Sequence, residues 1–264
     1  MANCNLRCWA DALLSNELPA DPRLLDVIRP HLADPARARR VITDLGRSDS
    51  SFSLLDLLSQ LLTAQFDQLV VPAMDAARDI PHQLPRRLAV AYAAQVPDEN
   101  RDKRIDIHLE GEDLVSPLAE LAVLVSHRRF ESARTSADPT QVAHLLSTFG
   151  VRLEKLGQYE EAVTATEESV ATCRELVADR PDVYRPVLAG ALTNLGNWRG
   201  QLGRYEEGLT AAEESVAIRR ELVADRPDVH RPDLALALNN LGSHLNEVGR
   251  YEEALTAVAE AAKL

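Results

Sequence analysis

Histidines are the residues of this chain with the widest catalytic range, because imidazole serves near neutral pH as a general base, a proton shuttle or a metal ligand. None of them lies in an HExxH motif or beside a recognisable nucleophile motif. Seven are scattered along the chain: His31, His82, His108, His127, His144, His230 and His244. The sequence therefore predicts no catalytic residues. It predicts polar surface roles for His144 and His244, and a packing or turn role for His230.

Two cysteines near the start have the spacing of half a metal site. Cys4 and Cys8 would share one face of a helix, but no second Cys or His pair nearby completes four ligands. Only Gly46 and Gly111 precede residue 150, so the first half lacks the clustered glycines that cradle phosphate, and no GxxxxGK[ST] motif occurs anywhere. The sequence therefore predicts no metal site and no cofactor.

Paired carboxylates recur along the second half of the chain. Glu160-Glu161 and Glu206-Glu207 each begin a predicted helix, where negative charge is favourable. This position explains the pairs without acid–base chemistry. An enzyme, or an accessory subunit of one, with a site between the N-terminal helices and the repeats remains an alternative. Its candidate residues are His108, Glu110, Glu112 and Asp113.

Composition limits the class of protein and its partners. The 264 residues include 45% hydrophobic but only 4% aromatic residues, which suits helices packed through small and aliphatic side chains. The net charge of -12 argues against nucleic acid and anionic membranes as partners. Three cysteines form no disulfide framework, and neither a signal peptide nor a membrane span is evident. We expect a cytoplasmic protein.

A stretch of 28 residues occurs twice almost unchanged, from Tyr159 to Pro186 and from Tyr205 to Pro232, and a third copy starts at Tyr251. A fixed period of 46 residues is the signature of a repeat protein. In the middle copy we predict a first helix from Leu188 to Leu202 and a second from Tyr205 to about Val223. The segment bounded by Pro227 and Pro232 would connect this copy to the next.

Small residues recur at fixed places in each copy. Gly150, Gly196 and Gly242 would let the partner helix approach closely, since they lack a Cβ. Gly157, Gly203 and Gly249 would take positive φ in the turn inside each hairpin. The three repeated tyrosines, Tyr159, Tyr205 and Tyr251, would pack their rings into the seams between neighbouring helices.

These motifs resemble a known family. Leu195-Gly196, the LGRY run from Leu202 to Tyr205 and the small residue Gly208 are similar to the tetratricopeptide repeat. The period exceeds the usual 34 residues, so the repeats look like the long type of kinesin light chains and like actinobacterial arrays associated with STAND signalling ATPases. The resemblance implies an all-α, right-handed solenoid of helical hairpins. It also implies a non-catalytic protein- or peptide-binding scaffold, used as a regulatory or sensor module in bacterial signalling or defence.

In that family the first helix of each hairpin lines the binding groove. Asparagine both donates and accepts hydrogen bonds, so a ladder of amides suits the backbone of an extended peptide. The resemblance implies these groove residues: Ser147, Thr148, Val151, Lys155, Thr193, Asn194, Asn197, Gln201, Asn239, Asn240, Ser243 and Glu247. A plainer reading is that asparagine is tolerated on a solvated helix face. A clamp for chaperone carboxylates is disfavoured, because Lys155 is the only Lys or Arg among these residues.

The chain divides into two predicted regions. Residues 1–137 read as degenerate helical repeats or a helical bundle, in which the polar segment 97–113 forms a solvated loop or short helix. Residues 138–264 read as repeats 138–183, 184–229 and 230–264, the last incomplete. Its final helix leaves an apolar face uncovered. Either the array continues beyond residue 264, or this end forms a homodimer or a structural homo-oligomer, or it receives a partner helix. That face consists of Leu255, Val258 and Ala262.

Overall fold

The computed structural model describes residues 32–46, 52–79, 84–110, 118–136 and 139–264, and the regular elements of these ranges are helices. This confirms the predicted all-α fold. The chain divides into two compact units, Met1–Arg128 and Arg129–Leu264; the boundary between residues 137 and 138 stays a prediction. The predicted helices before residue 31, together with Cys4 and Cys8, lie outside the described residues. Within the described ranges no helix is long and apolar enough to cross a membrane.

The described helices up to residue 136 contribute to one apolar core, the last of them only with its part before the unit boundary at Arg128. They are α1 (Pro35–Gly46), α2 (Phe52–Ala64), α3 (Phe66–Asp79), α4 (Leu84–Ala93), α5 (Glu99–Glu110) and α6 (Ala119–Ser136). The core of unit 1 includes Leu58 and Leu62 of the leucine-rich α2, Met74 of α3 and Leu88 of α4, which are all fully buried. Leucines spaced four residues apart lie on one side of a helix, which accounts for the inward stripe of α2.

The sequence predicts a solvated loop or short helix for the polar segment 97–113; the helix is present, but the prediction that it is solvated is wrong for one of its sides. It contains α5, on which Asp102, Ile105, Asp106 and Leu109 share one buried side at helical spacing. Asp102 accepts a 2.8 Å hydrogen bond from the hydroxyl of Tyr92. Burial of the two aspartates was not evident from the sequence, because a mixed charge run normally marks a solvated helix.

The repeats form a stack of helices in chain order. They are α7 (Pro139–Lys155), α8 (Tyr159–Val177), α9 (Pro181–Gln201), α10 (Tyr205–Asp225), α11 (Pro227–Glu247) and α12 (Tyr251–Ala261). Each helix packs mainly against the one before it and the one after it, as expected of a solenoid, in which each unit touches only its neighbours.

The segment predicted to connect the repeats belongs instead to the first helices. α9 begins at Pro181 and α11 at Pro227, while Pro186 and Pro232 lie inside these helices. Proline is well tolerated at the first helical position, because the N–H that it lacks would have no partner there. The second helix of one repeat and the first helix of the next are therefore separated by very short links, a single residue in the case of Arg226.

Glycines make the turn inside each hairpin, as predicted. Gly157, Gly203 and Gly249 have φ of 70°, 74° and 80°. In the first hairpin the N–H of Gly157 donates to the carbonyl of Glu154, and the next N–H donates to the carbonyl of Leu153, so free carbonyls at the helix end are satisfied. The second helices then begin with Glu160-Glu161, Glu206-Glu207 and Glu252-Glu253 in their first turns.

Candidate partner-binding face

The first helices of the three repeats are neighbours. Besides its contacts with α8 and α10, α9 contacts both α7 and α11. The hydroxyls of Thr140 and Tyr184 form a hydrogen bond between α7 and α9, and Asn197 Oδ1 lies 3.3 Å from Nε2 of His244 on α11. We call the side of α7, α9 and α11 that carries the predicted groove residues the first-helix face.

The predicted groove residues are half-buried or exposed. Asn194, Asn197 and Gln201 follow one another at spacings of three and four, so they lie on one side of α9. The half-buried residues are Ser147, Thr148, Val151, Thr193, Asn194, Asn197 and Asn240. The exposed residues are Lys155, Gln201, Asn239, Ser243 and Glu247. Their role in binding a partner stays a prediction.

Some of these side chains are already engaged within the repeats. The hydroxyl of Thr193 lies 2.8 Å from the hydroxyl of Ser215 on α10, which holds the two helices of the middle hairpin together. The hydroxyl of Ser243 donates to the backbone carbonyl of Asn239 on its own helix. Lys155 is 3.8 Å from the carboxylate of its neighbour Glu154. These groups are less free to meet a ligand than their exposure alone implies.

Asn194 and Asn240 differ from these residues. They occupy the same position of successive repeats, on neighbouring first helices, and are half-buried. Neither side-chain amide has a hydrogen-bond partner among the described residues. A primary amide offers two donors and an acceptor, and the backbone of an extended peptide offers the matching groups. The two half-buried amides are therefore available for hydrogen bonds to a ligand.

His244 is buried, although the sequence predicted a polar surface role for it. Its side chain is 5% exposed, with Nδ1 3.2 Å from the carboxylate of Glu247 and Nε2 close to Asn197. The imidazole fills space that two glycines leave open: a Cβ on Gly200 or Gly208 would lie 3.2 or 3.5 Å from its Cε1. The histidine thus anchors α11 against the middle hairpin.

At the same position of the preceding repeat, a different residue is buried against a glycine of its neighbour. Trp198, which stands 46 residues before His244, is also buried, and its ring would lie 2.9 Å from a Cβ on Gly150. Arg152, another 46 residues earlier, is buried as well. Comparing the three copies at this position could have revealed that a tryptophan shares the register of His244, which is the signal for burial that sequence reasoning missed.

Other predicted residues divide between the interior and the surface. His230 is buried in α11 and replaces Tyr184, which is buried in α9, so the predicted packing role is confirmed; His144 is exposed as expected. Two of the three repeated tyrosines are not packed into the helix seams, since Tyr205 is 44% and Tyr251 63% exposed, whereas Tyr159 is half-buried. All three tyrosines are the first residue of a second helix.

The outer side of α12 carries exposed apolar residues. Leu255 is 73% and Val258 45% exposed, and Ala262 is also exposed. One repeat earlier, Leu209 is only 3% exposed, because α11 packs on that side of α10. The predicted apolar face is therefore present, while its role in assembly stays a prediction.

Unit 1 contains a separate cluster of polar groups. The guanidinium of Arg128 lies 4.3 Å from the ring centre of Tyr92 and donates to the carbonyl of Ala93. Burial raises the pKa of the Asp102 carboxyl, and the hydrogen bond from Tyr92 and the charge of Arg128 oppose this rise. Burial and Asp102 together raise the pKa of Tyr92. The cluster braces α4 against α5.

The hypothesis of an enzyme site involves a region that the structure describes only partly. His108 Nε2 lies 3.3 Å from Asp75 Oδ1 on α3, but Glu112 and Asp113 are outside the described residues. Among the described side chains, no group of three or more His, Cys, Asp or Glu residues is placed to hold a metal ion.

Comparisons with known proteins bear on unit 2. Two family models, each described as Tetratricopeptide repeat, match residues 142–182 and 187–264. Among solved structures, the crystal structure of BtubC (BKLC) from P. vanneervenii is similar, with 19% identity, a TM-score of 0.46 and coverage of 89% of this chain and 90% of that chain. A comparison with curated proteins finds no match. The α-solenoid is thus assigned from its helices and from the two family matches, and tetratricopeptide repeats indicate a protein-interaction scaffold.

Proposed function

We propose that the chain is a non-catalytic scaffold that binds an extended segment of a partner protein on the first-helix face. The observation that carries the proposal is the pair of unengaged amides, Asn194 and Asn240, at one register of neighbouring helices. Helices packed side by side are about 8–10 Å apart, and an extended chain advances about 3.3 Å per residue. The two amides are therefore spaced to meet peptide groups about three residues apart.

The contacts around these amides support a preorganised surface. The contact of His244 with Asn197 holds α11 against the middle hairpin, and the contact of Thr193 with Ser215 holds α9 against α10. A surface whose helices are already fixed loses less entropy when it binds, so a modest number of hydrogen bonds gives useful affinity.

The test begins with a displayed library of unstructured peptides, from which the wild-type chain selects binders. Affinities of a labelled hit are then measured by fluorescence anisotropy for the wild type and for Asn194→Ala plus Asn240→Ala. We expect the double variant to bind at least about tenfold more weakly, since two hydrogen bonds each contribute about 1 kcal/mol. Asn100→Ala changes an exposed asparagine of α5 and serves as the matched control. Equal affinity of all three proteins would refute the assignment of the face.

The cellular role that we propose is that of a regulatory or sensor module in bacterial signalling or defence. It is supported by the likeness of the repeats to arrays associated with STAND ATPases. Purification of the chain from its host should then recover a nucleotide-hydrolysing partner, and the double variant should lose it. Cys173 forms no disulfide among the described residues, and because the chain has only three cysteines we propose a reducing, cytoplasmic setting for this role.

A second candidate is self-association through α12. It is favoured by the 73% exposure of Leu255, a position that is buried in the preceding repeat. Burial of such a side chain in a symmetric contact contributes roughly 1.5–3 kcal/mol, so association would depend on protein concentration.

A further inference from the structure

Gly190 is the one helical glycine of unit 2 that no packing contact explains. A Cβ added to it would meet nothing within 4 Å. The other helical glycines of this unit would each bring a Cβ to 3.2 Å or less from a neighbouring atom: Gly150, Gly196, Gly200, Gly208 and Gly242. Glycine in a helix interior costs about 1 kcal/mol relative to alanine. Gly190 lies inside the 21-residue α9, where neither a turn nor a close approach of another helix requires a glycine.

The position of Gly190 places it on the first-helix face. It precedes Asn194 by four residues, so the two share one side of α9. Contacts between the first helices join residues 44 and 47 apart, namely Thr140 with Tyr184 and Asn197 with His244. These separations lie on either side of the repeat length. Residues at the same position of successive repeats are therefore neighbours on adjacent first helices.

The neighbours of Gly190 at this register are His144 on α7 and Leu236 on α11. His144 is exposed and Leu236 is 58% exposed. Two side chains therefore flank a point on α9 that has none. We call this depression, with Gly190 as its floor and His144 and Leu236 as its walls, the glycine notch.

We propose that the glycine notch receives one aliphatic or aromatic side chain of an extended peptide segment whose backbone is held by Asn194 and Asn240. The inference deepens the proposed function and rests on it. A side chain entering the notch gains apolar contact with Leu236 and loses water on both sides. The amides lie one turn further along the same helices, within reach of the peptide groups that flank that side chain.

The residues around the notch favour a bound segment whose central residues are uncharged. The residues of α9 on this side, which are Gly190, Asn194, Asn197 and Gln201, carry no charge, and neither do Leu236 and Asn240. A cationic side chain over the notch would lose water without meeting an anionic group at Gly190, His144 or Leu236, which is unfavourable. The occupant is therefore a segment with one apolar side chain flanked by uncharged residues.

The test fills the notch without disturbing the fold. Gly190→Leu places an aliphatic side chain in open space, and Ala171→Leu adds the same side chain at an exposed site of α8 as a matched control. The probe is a labelled peptide selected by the wild type. We expect Gly190→Leu to weaken its binding about tenfold or more, as loss of one buried apolar side chain implies. The control should bind like the wild type, and circular dichroism should show both variants fully helical.

The peptide provides the second arm. Replacing its apolar residue by Ala should weaken binding to the wild type by a similar factor. The same replacement should have little further effect on binding to Gly190→Leu, because both changes remove the same contact. If Asn194 and Asn240 matter but Gly190→Leu binds normally, the notch is refuted and the face stands. If the asparagine variants also bind normally, or if no peptide is selected, the proposed function fails and the notch with it.

Discussion

The same substitution at two sites of α9 should change stability in opposite directions. Gly190→Ala and Gly196→Ala both replace a glycine in a helix interior, and each gains about 1 kcal/mol of helix propensity. At Gly190 the new methyl group meets nothing within 4 Å. At Gly196 it would lie 2.9 Å from the carbonyl oxygen of Gly208, a backbone atom that cannot turn aside.

The magnitudes follow from these contacts. Overpacking of this kind costs about 1–3 kcal/mol, so Gly196→Ala should be neutral to about 2 kcal/mol less stable than the wild type once the propensity gain of about 1 kcal/mol is included. Gly190→Ala should be about 1 kcal/mol more stable, which corresponds to a rise of about 2–4 °C in Tm. The gain in helix propensity is the same for both variants. The difference between their free energies of unfolding therefore reports only the packing of α9 against α10.

Urea unfolding followed by circular dichroism measures this difference. The two midpoints should move apart while the slopes stay equal, since neither change alters the surface exposed on unfolding. Two variants of equal stability would show that α9 and α10 do not approach closely at Gly196. Destabilisation by Gly190→Ala would show that its site is already filled, which would also remove the ground for the notch.

Three further predictions follow. Asp102→Asn keeps an acceptor for the hydroxyl of Tyr92 but cannot ionise. Burial raises the pKa of Asp102 in the folded protein above its unfolded value of about 3.9. The stability of the wild type therefore falls as the pH rises from the unfolded pKa to the folded pKa. The variant should therefore gain relative stability above about pH 4 and none below it, and a pH-independent difference would contradict this. Gly203→Ala forces a Cβ into a positive φ of 74° and should cost about 1 kcal/mol in urea unfolding. Gly203→Asn should cost less, and equal losses would argue against the backbone explanation. Val258→Glu places charge on the apolar face of α12 and should abolish any concentration-dependent increase in mass seen by light scattering, whereas Ala217→Glu, on the exposed side of α10, should not; a mass that is constant for the wild type would refute self-association.

The helices of the repeats were predictable because period and residue type agree. In each of the three copies a glycine near the end of the first helix is followed by a second glycine and then a tyrosine, which indicates hairpins. The structure shows these hairpins, with positive φ at Gly157, Gly203 and Gly249. The start of each first helix was not predictable from proline alone. Pro181 begins α9, yet Pro186 lies within it, because tertiary packing on both neighbours offsets the loss of one backbone hydrogen bond.

The register of the candidate binding residues was predictable, but burial around them was not. Spacing placed Asn194 and Asn240 on one face, and they do lie at equivalent positions of neighbouring helices. Spacing within α11 could not tell that His244 would be enclosed, because the space it fills comes from glycines of the preceding repeat; only the register shared with the buried Trp198 carried that signal. Burial of Asp102 was hidden for the same reason, since its partner Tyr92 lies on another helix. Contacts between elements, which spacing within one element does not reveal, account for both differences.

The central claim is that an extended segment lies across the first-helix face. The side-chain amide resonances of Asn194 and Asn240 report on this directly in a nitrogen–proton correlation spectrum recorded while a selected peptide is added. We predict that both amides shift with one common dissociation constant, while the amide of Asn100 stays in place. Shifts confined to the second helices or to unit 1, with Asn194 and Asn240 unchanged, would contradict the claim.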